Sequence, residues 1–267
     1  MVGDKTMNKK ISIVYTYFNQ HDMLNILFKY YDKFIDKELL NNIEFIIVDD
    51  CSEEHPAVTF FPETKNINYS IWKTNKKVYN PGGARNLGIL KCTNNNVVSV
   101  DLDMVLTNDV LIELFNSSLS DTMYFRFFRD RLEEINLDTN IRFYKKLNSP
   151  FFIKKELFLK YPFDEEFSGH YGYEDEYWRA VLLKNNINSI FCEKGIITAP
   201  IRFTGYTTYD TPRNNPGYTK GIDRETDLII TRKLYDKKMR QLKQAKLPFY
   251  ISMKLNFDYE LIKTVNV

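Results

Sequence analysis

Val97-Val98-Ser99-Val100-Asp101-Leu102-Asp103 is a short, mostly apolar run that stops abruptly at two aspartates spaced i, i+2. Apolar runs of this kind, rich in β-branched residues, read as buried strands. In an extended chain i and i+2 point to the same side, so both carboxylates can reach one point just past the strand's carboxyl end. Open α/β sheets bind ligands along that edge. Two carboxylates held together at pH 7 repel each other, which predicts a positive partner between them. A hard divalent cation such as Mg²⁺ or Mn²⁺ suits oxygen ligands, and such ions often bridge to a phosphate. The plainer alternative makes Asp101 a strand-end cap and Asp103 a turn residue, because D-x-D is short and common. The neighbouring segments decide between the two.

The chain has 267 residues, enough for one large α/β domain or two small ones. Its hydrophobic fraction of 43% and charged fraction of 27% are those of an ordinary globular protein. The 37 basic and 35 acidic residues leave a net charge of +2, without the basic excess of a nucleic-acid binder. Aromatic residues reach 15%, which suits stacking on bases and sugar rings and suits cores equally. Cys51, Cys92 and Cys192 are odd in number and have no C-x-x-C spacing, so neither a disulfide framework nor a zinc site is expected, and a reducing, cytoplasmic location is. His21, His55 and His170 rule out H-E-x-x-H. No apolar run approaches the ~20 residues of a membrane span. Met1 to Lys10 has a charged start but no apolar h-region, so no signal peptide is expected.

Outward from the Asp101/Asp103 strand, strand and helix patterns alternate. Lys10 to Phe18 reads as a buried strand, and after Asn19 a helix runs from about His21 to Ile35. Ile43 to Val48 is a second buried strand that also ends in acids, Asp49-Asp50. These either form an Asx turn or present a carboxylate to a nucleobase N–H or a ribose hydroxyl. Ser70-Ile71-Trp72 is a short third strand. Asn80-Pro81-Gly82-Gly83-Ala84-Arg85-Asn86 predicts a loop where backbone approaches a ligand, then a helix offering its amino end and Arg85 to an anion. Arg85 in a first helical turn runs against the helix dipole, which a plain turn leaves unexplained. Val110 to Ser117 is a further helix, and the alternation predicts a mostly parallel sheet.

Beyond the centre the pattern loosens. Met123 to Phe128 is strand-like, Asp130 to Lys146 is polar and reads as a loop or an excursion, Ser149 to Ile153 is a strand, and Lys155 to Lys160 is a short helix. A loop holding Gly169 and Gly172 then meets Glu174-Asp175-Glu176, which opens a helix with Tyr177, Trp178, Val181 and Leu182 on its apolar face. Acids in a first turn complement the dipole. Three adjacent acids exceed what a cap needs, and one can serve as a general base. His170 reads as a hydrogen-bonded loop residue rather than a ligand. Ser189 to Cys192 is a strand, Arg202 to Tyr218 a long loop able to close over a ligand, and Asp223 to Lys246 a basic amphipathic helix with a solvated face.

The ordered set Thr16-Tyr17-Phe18-Asn19, Val48-Asp49-Asp50-Cys51-Ser52, Asn80-Pro81-Gly82-Gly83-Ala84-Arg85-Asn86, Asp101-Leu102-Asp103, Phe163-Asp164-Glu165-Glu166-Phe167 and Gly172-Tyr173-Glu174-Asp175 resembles the GT-A glycosyltransferases, family 2 among them. The Gly-Tyr-Glu-Asp stretch also resembles the acceptor-side motif of the galactosyltransferase and polypeptide N-acetylgalactosaminyltransferase groups. The resemblance covers roughly residues 10–200, and it is the order of the motifs, each short by itself, that is specific. It implies a Rossmann-like, mostly parallel sheet flanked by helices over residues 1–222, with residues 223–267 as a C-terminal helical extension packed on the same domain.

The resemblance also implies roles. Thr16, Phe18 and Asp49 or Asp50 would hold the base, commonly uracil. Gly83 would belong to the nucleotide loop, and Arg85 would lie near the diphosphate. Asp101 would contact ribose or metal, and Asp103 would bind Mn²⁺ or Mg²⁺. Asp175 would be the catalytic base, with Glu174 beside it on the sugar or the acceptor. The implied reaction is inverting, metal-dependent transfer of a sugar, a hexosyl group from a UDP-sugar, to the hydroxyl of a glycan or other acceptor. A retaining transferase, a nucleotidyltransferase lacking its Gly-rich basic signature, and a silent nucleotide-sugar or glycan-binding module are the alternatives. No nucleic-acid partner is expected, and peripheral membrane contact is left open. Many relatives complete the metal site with a late histidine. Here none follows His170, and the loop around Tyr206, Tyr209 and Asp210 is the candidate substitute.

Overall fold

The computed structural model describes residues 9–75, 79–131, 145–194, 196–198 and 224–267. The chain opens with β1 (Ile11–Tyr17), α1 (His21–Phe34), the single turn α2 (Lys37–Leu40), β2 (Ile43–Asp49), α3 (Ala57–Phe60) and β3 (Asn68–Thr74). It continues through α4 (Pro81–Lys91), β4 (Asn96–Asp101), the two-residue β5 (Met104–Val105) and α5 (Asn108–Asn116). Then come β6 (Met123–Arg131), β7 (Lys145–Lys154), α6 (Lys155–Lys160), a 3-10 turn (Glu165–Phe167), α7 (Glu174–Lys184), β8 (Asn188–Phe191), β9 (Ile196–Thr198), α8 (Arg224–Gln244) and β10 (Tyr259–Val265).

The described strands form one sheet in the order β10-β3-β2-β1-β4-β7-β6-β9-β5, with β8 added against β6. Its centre, β3-β2-β1-β4, is parallel. β7 and β6 follow antiparallel, and β10 closes the other edge antiparallel to β3. Strand order reverses at β1: β2 lies on one side and β4 on the other. In open α/β sheets this switch point is where the crevice for a ligand opens, outside the carboxyl ends of the strands. Thr16 and Asp101 stand there as register partners on β1 and β4.

The pleat sorts side chains into two cores. Ile11, Ile13, Tyr15 and Tyr17 of β1 join Phe45, Ile47, Val98 and Val100 against Leu24, Leu27, Phe28 and Tyr31 of α1. Val14, Ile46, Val48 and Val97 turn to the opposite face, where α4, α6, α7 and α8 contribute Leu87, Phe158, Trp178 and Leu242. By that alternation Asp101 falls on the α4–α7 side. Trp178 fixes α7 to this face. It is fully buried, with ring neighbours Phe151 at 4.4 Å and Phe163 at 5.1 Å, and its Nε1 donates to the Tyr161 carbonyl at 2.6 Å. α4 lies so close to the sheet that a Cβ at Gly88 would collide with Cγ1 of Val14.

Three segments differ from the sequence expectation. Pro81-Gly82-Gly83 is not a loop but the first turn of α4, because Pro is pre-organised for the first helical position and Asn80 caps the helix. The polar stretch after Asp130 is largely outside the described residues, but β6 runs into it as far as Arg131 and β7 leaves it at Lys145. The C-terminal extension is not helical throughout. After α8 the chain returns as β10, in register from Tyr259 with Thr74 to Val265 with Tyr69. The predicted loop Arg202 to Tyr218 lies outside the described residues.

Candidate active site

On the β2 side both strand-end aspartates are engaged by the scaffold. Asp49 is 2% exposed and accepts from the backbone N–H of Ser52 and of Ala57, each at 2.8 Å. Burial pushes its carboxyl above the ordinary range, and these donors partly offset that. One oxygen closes the turn that leaves β2, and the other holds the start of α3. Asp50 turns to the α4 side, accepting from Thr74 Oγ1 at 3.1 Å and the Asn80 N–H at 3.0 Å. The two aspartates face opposite sides by the alternation of the strand, and Cys51 directly after them has φ 62°, a strained value where the chain leaves β2.

α4 is built from its motif residue by residue. Asn80 Oδ1 accepts from the Gly83 N–H at 3.1 Å, and a Cβ on Gly83 would strike the Asn80 side chain. Gly83 is therefore required by the cap, and its N–H is engaged there rather than turned to a ligand. Asn86 and Phe163 exchange two hydrogen bonds of 2.9 Å through side-chain amide and backbone, which ties the Phe163–Phe167 segment to α4. Arg85 is 5% exposed and lies one turn inside the helix rather than in its first turn.

Arg85 joins the two banks of the cleft. Its Nη2 donates to Asp101 Oδ1 at 2.6 Å, and its Nη1 stands 3.8 Å from Glu174 Oε1 at the start of α7. Nε and Nη1 have no hydrogen-bond partner. Burial works against the guanidinium charge, and Asp101 and Glu174 together outweigh it, so the pKa is raised. Asp101 takes a second donor from Ser149 at 2.5 Å. The positive partner that the paired aspartates demand is thus, at Asp101, an arginine. Asp103 lies in the turn between β4 and β5, beyond the extended run, so the i, i+2 argument ends at Asp101. That turn is fastened from below: Tyr15 Oη donates to the Met104 carbonyl at 3.3 Å, and the Leu106 N–H donates to Tyr31 Oη at 3.1 Å. Thr16 and Phe18 are partly buried at the end of β1.

α7 begins on strain. Its N-cap Tyr173 is left-handed, φ 67°, ψ −11°, and gives no side-chain cap, an uncommon state for an aromatic residue. Burial, then the neighbouring Asp175 charge, push Glu174 up to about 7, against the pull of Arg85. Burial also raises Asp175, while Arg85 and Arg179 work the other way. Carboxyls raised above their ordinary range beside a buried arginine are candidates for acid–base chemistry. Asp175 Oδ1 accepts from the Glu176 N–H at 2.8 Å.

α8 holds this strained loop in place, which the sequence reading missed. Asp227, 1% exposed, accepts from the Tyr171 N–H and pairs with His170 Nδ1, each at 2.8 Å. Further along, Lys238 meets Asp164 at 2.7 Å and Glu166 at 2.6 Å, and the rings of Tyr173 and Tyr235 lie 5.2 Å apart. Asp227 reads in sequence as an ordinary acid in a first helical turn, so no local signal marks it. His170 is the hydrogen-bonded loop residue its sequence suggests.

The donor set was tested for a metal. Among the described residues no group of three or more His, Cys, Asp or Glu side chains is gathered for an ion. Tyr206, Tyr209 and Asp210 lie outside the described residues. Both Asp101 oxygens already hold donors, so an ion held at Asp103 would need donor phosphates and water to complete its ligands. Mg²⁺-type ions commonly bind in that manner.

Comparison with known proteins agrees with the architecture. The model of the family described as glycosyl transferase family 2 matches residues 12–169. That is more than half of the chain, and the chain belongs to this family of glycosyltransferases. No curated protein sequence matches it. Among solved structures, a mannosyltransferase from Pyrobaculum calidifontis, in complex with GDP-Man and Mn²⁺, superposes with a TM-score of 0.54 at 13% identity, over 72% of this chain and 58% of that one. This chain therefore spans less than two thirds of that enzyme. Residues 1–349 of S. aureus TarS, in complex with UDP-GlcNAc, give 0.52 at 15% identity, over 89% and 76% of the two chains. At such identities the likeness establishes the fold, GT-A. No helix among the described residues is long and apolar enough to cross a membrane.

Proposed function

We propose that the chain transfers a sugar from a nucleotide-diphosphate donor, a UDP-sugar first among them, to an acceptor hydroxyl with inversion at the anomeric carbon. One observation carries the reading: the Asp101–Arg85–Glu174 bridge joins the strand ends at the sheet's switch point to the acid pair that opens α7. In this reading the donor edge and the base would share one cleft. Two neighbours by fold, one with GDP-Man and one with UDP-GlcNAc in their complexes, support a nucleotide-sugar donor. Thr16, Phe18 and Asp50 would line the base and ribose side. Arg85 would stabilise the negative charge that builds on the departing diphosphate. A Mn²⁺ or Mg²⁺ ion at Asp103 would supply further charge stabilisation there. Asp175 would take the proton of the acceptor hydroxyl as that oxygen attacks.

A thermal-shift panel of uridine, guanosine, cytidine and thymidine diphosphate sugars, each with and without Mn²⁺, identifies the donor, because a ligand bound only by the folded chain raises Tm. With that donor, Asp175→Asn is expected to lower transfer by roughly 10²- to 10⁴-fold, the usual span for general-base catalysis. Donor affinity stays unchanged, and product NMR reports the inverted anomer. Equal loss of donor affinity would move Asp175 from base to binding residue.

A further inference from the structure

Beyond Asp175 the cleft continues into a pair of arginines that the reaction so far leaves unused. Arg179 is one turn further along α7, so it shares a helix face with Asp175. Arg126 lies on β6, two residues after Tyr124, whose ring meets Trp178 of α7 at 5.5 Å. Residues two apart on a strand share a face, so Arg126 also rises under α7, nearer the carboxyl end of its strand. Its guanidinium stacks 4.8 Å from the Phe191 ring. Arg126 is held below its ordinary pKa by burial first and then by the charge of Arg179, which places the two cations in each other's field.

Arg179 is the anomaly. Its Nε is cut off from solvent and has no hydrogen-bond partner, and among the described residues no hydrogen bond or ion pair reaches its side chain. Asp175 balances part of its charge, yet a half-buried Nε–H with no acceptor, in the field of a second guanidinium, still opposes folding. Groups in that condition are characteristic of sites completed by a ligand.

We propose that Arg179 and Arg126 form an oxyanion subsite for the acceptor, so that the hydroxyl activated by Asp175 belongs to a molecule bearing a carboxylate or a phosphate. This rests on the transferase reading above and names its acceptor class. Guanidinium forks bind both anions through paired N–H donors. The subsite also answers a problem of charge: an anionic acceptor approaching Glu174, Asp175 and Glu176 is repelled unless fixed cations screen it.

The test separates the acceptor from the donor. Inorganic phosphate, glucuronate and uncharged glucose are titrated by NMR into the full chain, first free and then saturated with UDP or GDP, whichever the protein binds. Phosphate or glucuronate is expected to bind saturably with the nucleotide present, and glucose is not. Arg179→Met is expected to weaken that binding at least about tenfold, the loss of one charge-assisted hydrogen bond. Arg126→Met weakens it similarly, Arg179→Lys only in part, and nucleotide affinity stays unchanged. Because Met keeps the apolar stem and the Nε–H it removes has no acceptor, Arg179→Met is also expected to keep a cooperative thermal transition, which excludes misfolding as the cause. The proposal is overturned if nucleotide abolishes anion binding, since the arginines then serve the donor. It is equally overturned if neither anion binds, or if Arg179→Met leaves the binding intact. Should no nucleotide bind while the anion effect persists, the transferase reading fails and the subsite stands.

Discussion

The two banks of the cleft are both rich in acids and are built on opposite principles. On the strand-end bank Asp49, Asp50 and Asp101 each accept two hydrogen bonds from named donors. Their negative charge serves to fasten loops to the sheet. On the helix-end bank Glu174 meets its cation only at 3.8 Å, the N-cap before it is strained, and its carboxyl is pushed toward neutrality. Satisfied carboxylates build structure, and under-satisfied ones remain available for chemistry. Among the described residues Arg85 belongs to both banks.

The strongest way to break this contrast is Arg85→Met, which leaves Asp101 with Ser149 alone and Glu174 with no counter-charge. Removing one partner of a buried ion pair typically costs roughly 3–5 kcal/mol, so Tm is expected to fall by about 6–20 °C at pH 8. The fall shrinks at pH 5, where Glu174 is neutral. A variant as stable as the parent at pH 8 would show that the bridge is incidental.

Asp227→Asn probes the brace behind the helix-end bank. It keeps the shape but weakens the hold on His170 and on the Tyr171 N–H. Losing charge-assisted bonds of this kind is expected to lower kcat by roughly tenfold with little change in donor KM, since α8 touches the loop before Asp175 and not the strand ends. A change confined to donor KM would place the brace on the wrong bank.

The smallest expected effect concerns Glu174 itself. Its pKa in the folded chain is raised from an ordinary 4.5 to about 7, so the neutral acid is the form folding prefers. The stability it contributes is complete below pH 4.5 and is lost as pH rises through 7. Glu174→Gln is therefore expected to raise Tm by a few °C at pH 8 and to change it little at pH 4, as read by calorimetry across that range. A Tm that falls at pH 8 would mean that the pairing with Arg85 outweighs burial.

Much of this was legible before any coordinates. The strands Ile11–Tyr17, Ile43–Asp49 and Asn96–Asp101 stand close to their predicted bounds, because a strand buried on both faces must be continuously apolar. The ordered motifs likewise pointed to the family. Sequence failed where a residue type serves two ends. Pro-Gly-Gly looks like a loop and is a helix start. Asp49 reads equally as a turn residue or as a ligand group, and its two oxygens are seen holding the turn. Two aspartates at i, i+2 share a face only while the chain stays extended, and here it turns after Asp101.

What the sequence by itself determined is local: strand and helix periodicity, the caps, and the acids that mark strand and helix ends, all set by neighbours a few residues apart. What only the tertiary structure decided are the partners of those charges. Arg85 reaches Asp101 and Glu174 across 16 and 89 positions, and Asp227 reaches His170 across 57. No spacing rule spans such separations, because packing of α4, α7 and α8 on one face of the sheet, and not the order of residues along the chain, sets those distances.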